Sequence, residues 1–177
     1  FDVGIMMLVD AGQDYLDHDH VQSRLGGINR NFSPGQPFRT SDGWVTLAVA
    51  TDDQFRRMCR AMGLDELAGD PRFVDNAARV KNRAELSEIM APIFVARATS
   101  EWEEAFKVAK VPLSPIFDIA EAMADAQSEA RNLIWNMDGA MRLIANPLQH
   151  MSRTPARPAG SPPELASGTD DVLRNQL

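Results

Sequence analysis

The 177-residue sequence is short of cysteine, of basic residues and of long apolar runs, and each shortage removes a class of protein. A single cysteine, Cys59, excludes a disulfide framework and a cysteine-built zinc site. A lone unpaired thiol suits a reducing compartment better than a secreted setting, so a cytoplasmic location is expected. Lys and Arg number 18 against 25 Asp and Glu, a formal net charge of −7. That balance opposes nucleic-acid binding, which calls for a basic face, and a polybasic membrane anchor. No apolar run approaches the roughly 20 residues that span a bilayer. No charged region followed by an apolar stretch and a small-residue cleavage site marks a signal peptide. Phosphate-cradling glycine loops are also missing, and no Gly-x-Ser-x-Gly elbow surrounds Ser114.

What is present suits a folded domain. The sequence is 44% hydrophobic, and a chain of this length buries roughly 70% of its unfolded surface without covalent staples. It begins at Phe1 in mid-pattern, and the expectation is that it is a piece of a longer chain.

Periodicity and punctuation predict mixed helix and sheet. Ile5, Leu8, Val9 and Leu16 suggest one helix from about Asp2 to Val21, with Gly12 its weak point. The block Gly26–Asn31 ends it, and Phe32–Pro37 is a loop. Phe38-Arg39-Thr40, then Ser41-Asp42-Gly43, then Trp44–Ala50 predicts a hairpin, with a tight turn because Asp and Gly tolerate positive φ. Thr51-Asp52-Asp53 offers helix N-caps, Phe55, Met58, Cys59 and Met62 form an apolar stripe, and Gly63 is the stop. Asn82–Glu85 has the form of a capping box before Leu86, Ile89, Met90 and Ile93, and Pro92 is expected to kink or split that helix. Ser100–Glu103 reads as a second capping box, opening a short helix with Trp102 and Phe106 one turn apart. Val111–Phe117 is extended, and Ile119–Met123 is a short helix. Leu133–Met137 and Ala140–Ile144 flank Asp138-Gly139, a second hairpin. Five of the eleven prolines fall between Pro147 and Pro163, which predicts an extended connector. Thr169 is placed to cap a last helix, Asp170–Leu177.

Candidate chemistry is sparse. Asp17-His18-Asp19-His20 has metal-ligand residue types, yet on a helix the two histidines lie roughly 200° apart and do not converge. A solvated polar face is the better reading. Cys59 has arginines nearby, but its place on the apolar stripe favours a buried, inert thiol. Asn76, Arg79 and Asn82 fall three apart and read as a solvated or capping face rather than a ligand site. These residues alone describe an α+β module with no catalytic constellation.

Several stretches together do carry a resemblance. Asp2-Val3 and the helix after it, Thr40-Ser41-Asp42-Gly43-Trp44-Val45, and Asp70-Pro71-Arg72-Phe73 are three of them. The last is followed by Asn76, Arg79, Asn82, Arg83, Glu85 and Leu86. Thr99–Trp102 and Val111-Pro112 with Pro115-Ile116 complete the set. In this order and spacing they resemble the C-terminal portion of the family III CoA-transferases, the CaiB/BaiF type, which also includes α-methylacyl-CoA racemase. Lys110 and Ser114 stand where that family often has glycine, and Ala126 replaces a proline. The loop Phe32–Pro37 occupies the place of a glycine run that shields the active site in formyl-CoA transferase, and only Gly35 remains.

The resemblance implies a small α+β domain with long linkers, without the Rossmann-like large domain that a complete enzyme adds. Residues 1–31 would be the linker helix into the small domain, 32–131 the small domain, and 132–177 the return linker and C-terminal helix. Two complete chains would interlock as rings in a homodimer. The implied chemistry is attack of an aspartate on an acyl-CoA thioester, giving a mixed anhydride and CoA thiolate. The thiolate then forms an aspartyl-CoA thioester, which passes CoA to an acceptor carboxylic acid. That aspartate would lie upstream, so no catalytic residue is assigned here and the piece alone is expected to be inactive. Coenzyme A is implied as substrate, with no metal and no permanently bound cofactor. Ser33, Pro34, Gly35 and Gln36 are the candidate active-site loop, with Gly35 allowing close backbone approach. Two alternatives are a racemase of the same fold, with an upstream His–Asp pair, and a non-catalytic dimerisation or binding module.

Overall fold

The computed structural model describes residues 1–137, 142–145, 147–157, 168, 169, 173 and 174. Two units follow one another along the chain, Phe1–Ile116 and Phe117–Leu177. Both mix helix and strand, as expected of an α+β chain.

The first unit opens on two short helices, α1 (Asp2–Met6) and α2 (Val9–His18), rather than one. The break falls at Met7-Leu8, not at Gly12, where the Leu8 N–H turns back to Ile5 O at 3.0 Å and tightens the helix. Neither helix has a buried residue, so no packed face holds them in one straight rod.

Strands β1 (Pro37–Arg39), β2 (Trp44–Leu47) and β3 (Leu113–Pro115) form an antiparallel sheet with β2 in the middle. Phe38 lies opposite Val45, and Thr46 opposite Ser114. Val45 and Leu47 point into the core, and Trp44 and Thr46 point out, the period of two that a one-sided sheet requires. The hairpin forms as expected, but its connection has four residues, Thr40–Gly43, and neither Asp42 nor Gly43 takes a positive φ. Asp42 has a different task. Its Oδ1 accepts the N–H of Thr99 at 2.8 Å and the Thr99 hydroxyl at 2.9 Å. The turn thereby supplies a carboxylate to the first turn of helix α6 (Thr99–Ala109). A side chain at Gly43 would sit 3.2 Å from Thr99 Oγ1, a tight contact to which Thr99 would have to yield by a few tenths of an ångström.

Helix α3 (Asp52–Met62) matches its sequence signals closely. Thr51 and Gln54 form a reciprocal capping box, Gly63 ends the helix at φ 71°, and Phe55, Met58, Cys59 and Met62 are buried. Helix α4 (Asn76–Lys81) is capped by Asp75, and α5 (Arg83–Val95) runs through Pro92 without splitting. The proline is exposed and lies three residues before the helix end; it cannot donate to the Glu88 carbonyl, and the helix continues past it. The expected Asn82–Glu85 box does not form: the Asn82 amide donates backwards, to Arg72 O and Ala78 O. Helix α6 begins before Ser100, with Glu101 accepting from the Ala98 N–H at 2.9 Å.

The core lies between the sheet and helices α3, α5 and α6. Its centre is a run of rings. Phe38 stacks on Phe94 at 4.8 Å, Phe94 meets Trp102 at 4.9 Å, and Trp102 meets Phe106 edge-on at 5.8 Å. The indole N–H of fully buried Trp102 donates to Phe94 O.

In the second unit, α7 (Ile119–Ala124) is capped by Asp118 and α8 (Ala126–Ala130) by Asp125. Strands β4 (Ile134–Asn136) and β5 (Arg142–Ile144) pair antiparallel. The Asp138-Gly139 turn expected between them lies outside the described residues. Pro147–His150 is a 3-10 turn, where an extended connector was expected to begin. Its Gln149 side chain bridges the Trp135 indole N–H and the carbonyl groups of Arg131 and Asn132, which fixes a bend there. Most of the expected terminal helix, Asp170–Leu177, also lies outside the described residues.

Candidate functional site

The loop Phe32–Pro37 is the part of the first unit most heavily held by others. Ser33, Pro34 and Gly35 are buried, and Gln36 is half-buried. Backbone bonds tie the loop to its neighbours: Val49 N–H to Pro34 O at 3.0 Å, Leu47 N–H to Gln36 O at 3.1 Å, and Asn29 N–H to Gly35 O at 2.6 Å. The Gln36 amide donates to Ser87 Oγ at 2.7 Å. A side chain at Gly35 would meet the Phe32 ring at 2.5 Å and Asn29 Cβ at 2.9 Å. The close approach at this glycine is made by the chain itself.

Side chains from α4 and α5 complete the hold. The guanidinium of Arg79, fully buried, donates from Nε to Ser33 O at 2.8 Å and from Nη1 to Phe73 O at 3.2 Å. Its Nη2 reaches Asp52 Oδ1 at 2.9 Å, and the group lies 4.5 Å from the centre of the Phe55 ring. Asn76 accepts the Ser33 N–H and donates to Asn31 O. Arg83 donates to Asn29 O and Arg30 O, both at 3.0 Å. Arg72 joins Asp70 and Glu85 across the start of α5. The Arg72 guanidinium holds the Asp70 carboxyl below its usual range.

The expectation of a solvated or capping face for Asn76, Arg79 and Asn82 is therefore corrected. Arg79 is in the interior, and Asn76 with Arg83 clamps the chain ahead of the loop. Asn76 and Arg79 share a side of α4, whereas Arg83 opens α5, and nothing in the local sequence marks Arg79 as buried. Beside the loop lies an open cleft of about 360 Å³, lined in part by Gly26, Gly27, Phe32, Gly35 and Thr46.

Other candidates resolve plainly. Cys59 is buried, and desolvation pushes its thiol up to about 12, against a smaller opposing pull from Arg79. His18 and His20 do converge, contrary to the helical argument. Helix α2 ends at His18 and Asp19 turns left-handed at φ 55°, so His20 folds back. Both rings meet one carboxylate, Asp14, at 3.3 and 2.7 Å. The hydrogen bond from His20 is the main reason that Asp14 is held below the usual carboxylate range. Among the described residues no group of three or more His, Cys, Asp or Glu is arranged to hold a metal ion. No described helix is long and apolar enough to cross a membrane.

Comparison with known proteins gives this geometry a context. The profile of CoA-transferase family III matches residues 1–170. A succinate–glutarate CoA-transferase of Agrobacterium fabrum is 32% identical, over 97% of this chain and 44% of its own length. The human succinyl-CoA:glutarate CoA-transferase is 28% identical over 98% of this chain and 40% of its own. A crystal structure of a CAIB/BAIF family protein from Brucella suis superposes with a TM-score of 0.82 at 27% identity, covering 96% of this chain and 44% of that one. The chain thus spans less than half the length of the proteins it matches.

Proposed function

The chain belongs to CoA-transferase family III, and on that premise we propose that it is the small-domain portion of an enzyme that moves CoA between carboxylic acids. The observation that carries this reading is the match over residues 1–170, together with relatives whose names specify transfer between succinate and glutarate. Those names also support transfer over racemisation.

In this reading the nucleophilic aspartate belongs to a preceding large domain. Its carboxylate attacks the acyl-CoA carbonyl and expels CoA thiolate. The thiolate then attacks the mixed anhydride, releasing the donor acid and leaving aspartyl-CoA. The acceptor carboxylate repeats the exchange in reverse and leaves with CoA. CoA enters only as substrate. Its phosphates are held mainly by basic residues upstream of this portion, whose overall balance is acidic, because a polyanion needs cations to hold it. The contribution of this chain is the loop Ser33, Pro34, Gly35 and Gln36, set against the acyl centre and kept in one shape by Asn76, Arg79 and Ser87. A rigid loop positions reacting groups at no ordering cost during turnover.

Residues 1–31 act as the linker helix, 32–131 as the small domain and 132–177 as the return linker and C-terminal helix of a cytoplasmic, interlocked homodimer. The exposed apolar side chains of α1 and α2 support a covering chain: Met6, Met7 and Val9 are each at least 70% exposed.

The test is direct. The full-length protein, given succinyl-CoA and glutarate, is expected to yield glutaryl-CoA by mass spectrometry, and the 177-residue chain alone none. Deuterium uptake at C2 of a 2-methylacyl-CoA without any transfer would replace this reading with the racemase. Turnover by the isolated chain would overturn the assignment of chemistry to a preceding domain.

A further inference from the structure

A second feature of the first unit stands apart from the loop and does not depend on the transferase reading. Helices α3 and α6 leave between them a groove of about 520 Å³, within the range of roughly 300–1,000 Å³ usual for small-molecule sites. Half-buried Ala61, Ala105 and Ala109 line it together with the exposed Val108. Three cations, Arg57, Arg60 and Lys110, line it as well, on a chain whose net charge is −7. Nearby carboxylates do not use them up. Asp53 meets Arg57 through Nη2 at 3.3 Å, and Asp65 stands 3.8 Å from Arg60. Among the described residues the buried Arg57 Nε–H has no hydrogen-bond partner, so Asp53 satisfies this guanidinium only in part. Lys110 makes no ion pair among the described residues, and it ends α6 in the left-handed conformation at φ 53°. Glycine takes that conformation without strain and lysine does not. A cation is thus kept on the groove at a position that local backbone preference would give to glycine.

We propose that this groove binds a small organic phosphate of the nucleoside monophosphate class. The phosphate accepts from the heads of Arg57, Arg60 and Lys110, and the flat base lies on the apolar surface of the groove. Arginine favours a phosphate because its planar fork matches two oxygens at once. A surface of three alanines and the exposed Val108 favours a flat ring because it offers a broad apolar face for contact.

Calorimetric titration of the purified protein with AMP tests this, with inorganic phosphate and adenosine as comparators. AMP is expected to bind with a submillimolar Kd and to outbind both comparators. Arg60→Ala and Lys110→Gly should each weaken AMP by about tenfold, the loss of one charged hydrogen bond. Lys110→Gly should at the same time raise Tm by about 2 °C as the strain is relieved. Lost binding in a more stable protein is not misfolding. No AMP binding at millimolar concentration, equal binding of inorganic phosphate, or wild-type affinity in Lys110→Gly would each overturn the proposal.

Discussion

Replacing Arg79 with methionine tests whether the buried guanidinium holds the loop through its hydrogen-bond geometry. Methionine keeps most of the volume, so the cavity term is small. Two buried carbonyl groups, those of Ser33 and Phe73, lose their donors, at about 1–3 kcal/mol each. The contact with Phe55 is worth about 1–2 kcal/mol more. Against these stands the relief of no longer burying a cation, several kcal/mol. Asp52 is not stranded, because its side chain is 46% exposed and water replaces the guanidinium. The net expectation is a loss of about 2 kcal/mol in urea unfolding. Arg79→Lys should do no better, since one ammonium head does not reach three acceptors laid out for a planar fork. Amide hydrogen exchange gives the local readout. The N–H groups of Leu47 and Val49, bonded to Gln36 O and Pro34 O, should lose more protection than those in the middle of α3. A methionine variant within about 0.5 kcal/mol of wild type, or full rescue by lysine, would refute the argument that geometry rather than charge holds the loop.

Further outcomes follow from other sites. The Asp42 carboxyl is held below the usual aspartate range, first by the Thr99 N–H and then by the Thr99 hydroxyl. A depressed folded value means that its stabilisation is complete above the unfolded pKa of about 3.9 and is lost as pH falls towards the lower folded value. Asp42→Asn should therefore flatten the acid limb of the stability curve below about pH 4, and an unchanged limb would count against the cap. Iodoacetamide at pH 8 should leave Cys59 unmodified in the folded protein and label it in urea, because burial pushes its thiol up to about 12. Rapid labelling of the folded protein would show that the α3 stripe opens. Sedimentation at micromolar concentration should find the chain associated through α1 and α2, and Met6→Glu should weaken that association. A clean monomer would remove the support that these helices give to an interlocked dimer.

Legibility from sequence tracked the distance between interacting groups. Thr51, the Phe55–Met62 stripe and Gly63 act within one helix, so cap, stripe and stop of α3 could be read directly, although the reply of Gln54 to the cap was not. The Trp102–Phe106 pair and the hairpin of β1 and β2 are similarly local. Arg79 could not be read, because Ser33 lies 46 residues away and Asp52 lies 27. A lone arginine between alanine and valine carries no mark of burial. Asn82 misled because its residue type suits a cap, while its amide found carbonyl groups behind it. His18 and His20 lie on opposite sides only of a continuing helix, and one left-handed residue, Asp19, ends the helix between them. The family motif was visible as a pattern of letters. Its physical content, a set of clamps on the loop, needed the contacts.

The Asp42 cap on α6 has a consequence for the order in which the chain is made. Asp42 is synthesised 57 residues before the Thr99 that it serves. A growing chain therefore presents the hairpin turn with its carboxylate facing water until α6 emerges. Conversely, α6 excised as a peptide lacks the acceptor for its first turn, the turn that is costliest to start. Hairpin and helix thus become stable together, through a contact that closes a long loop. A unit built this way should fold more slowly than a helical bundle of equal length, whose contacts are mostly between near neighbours.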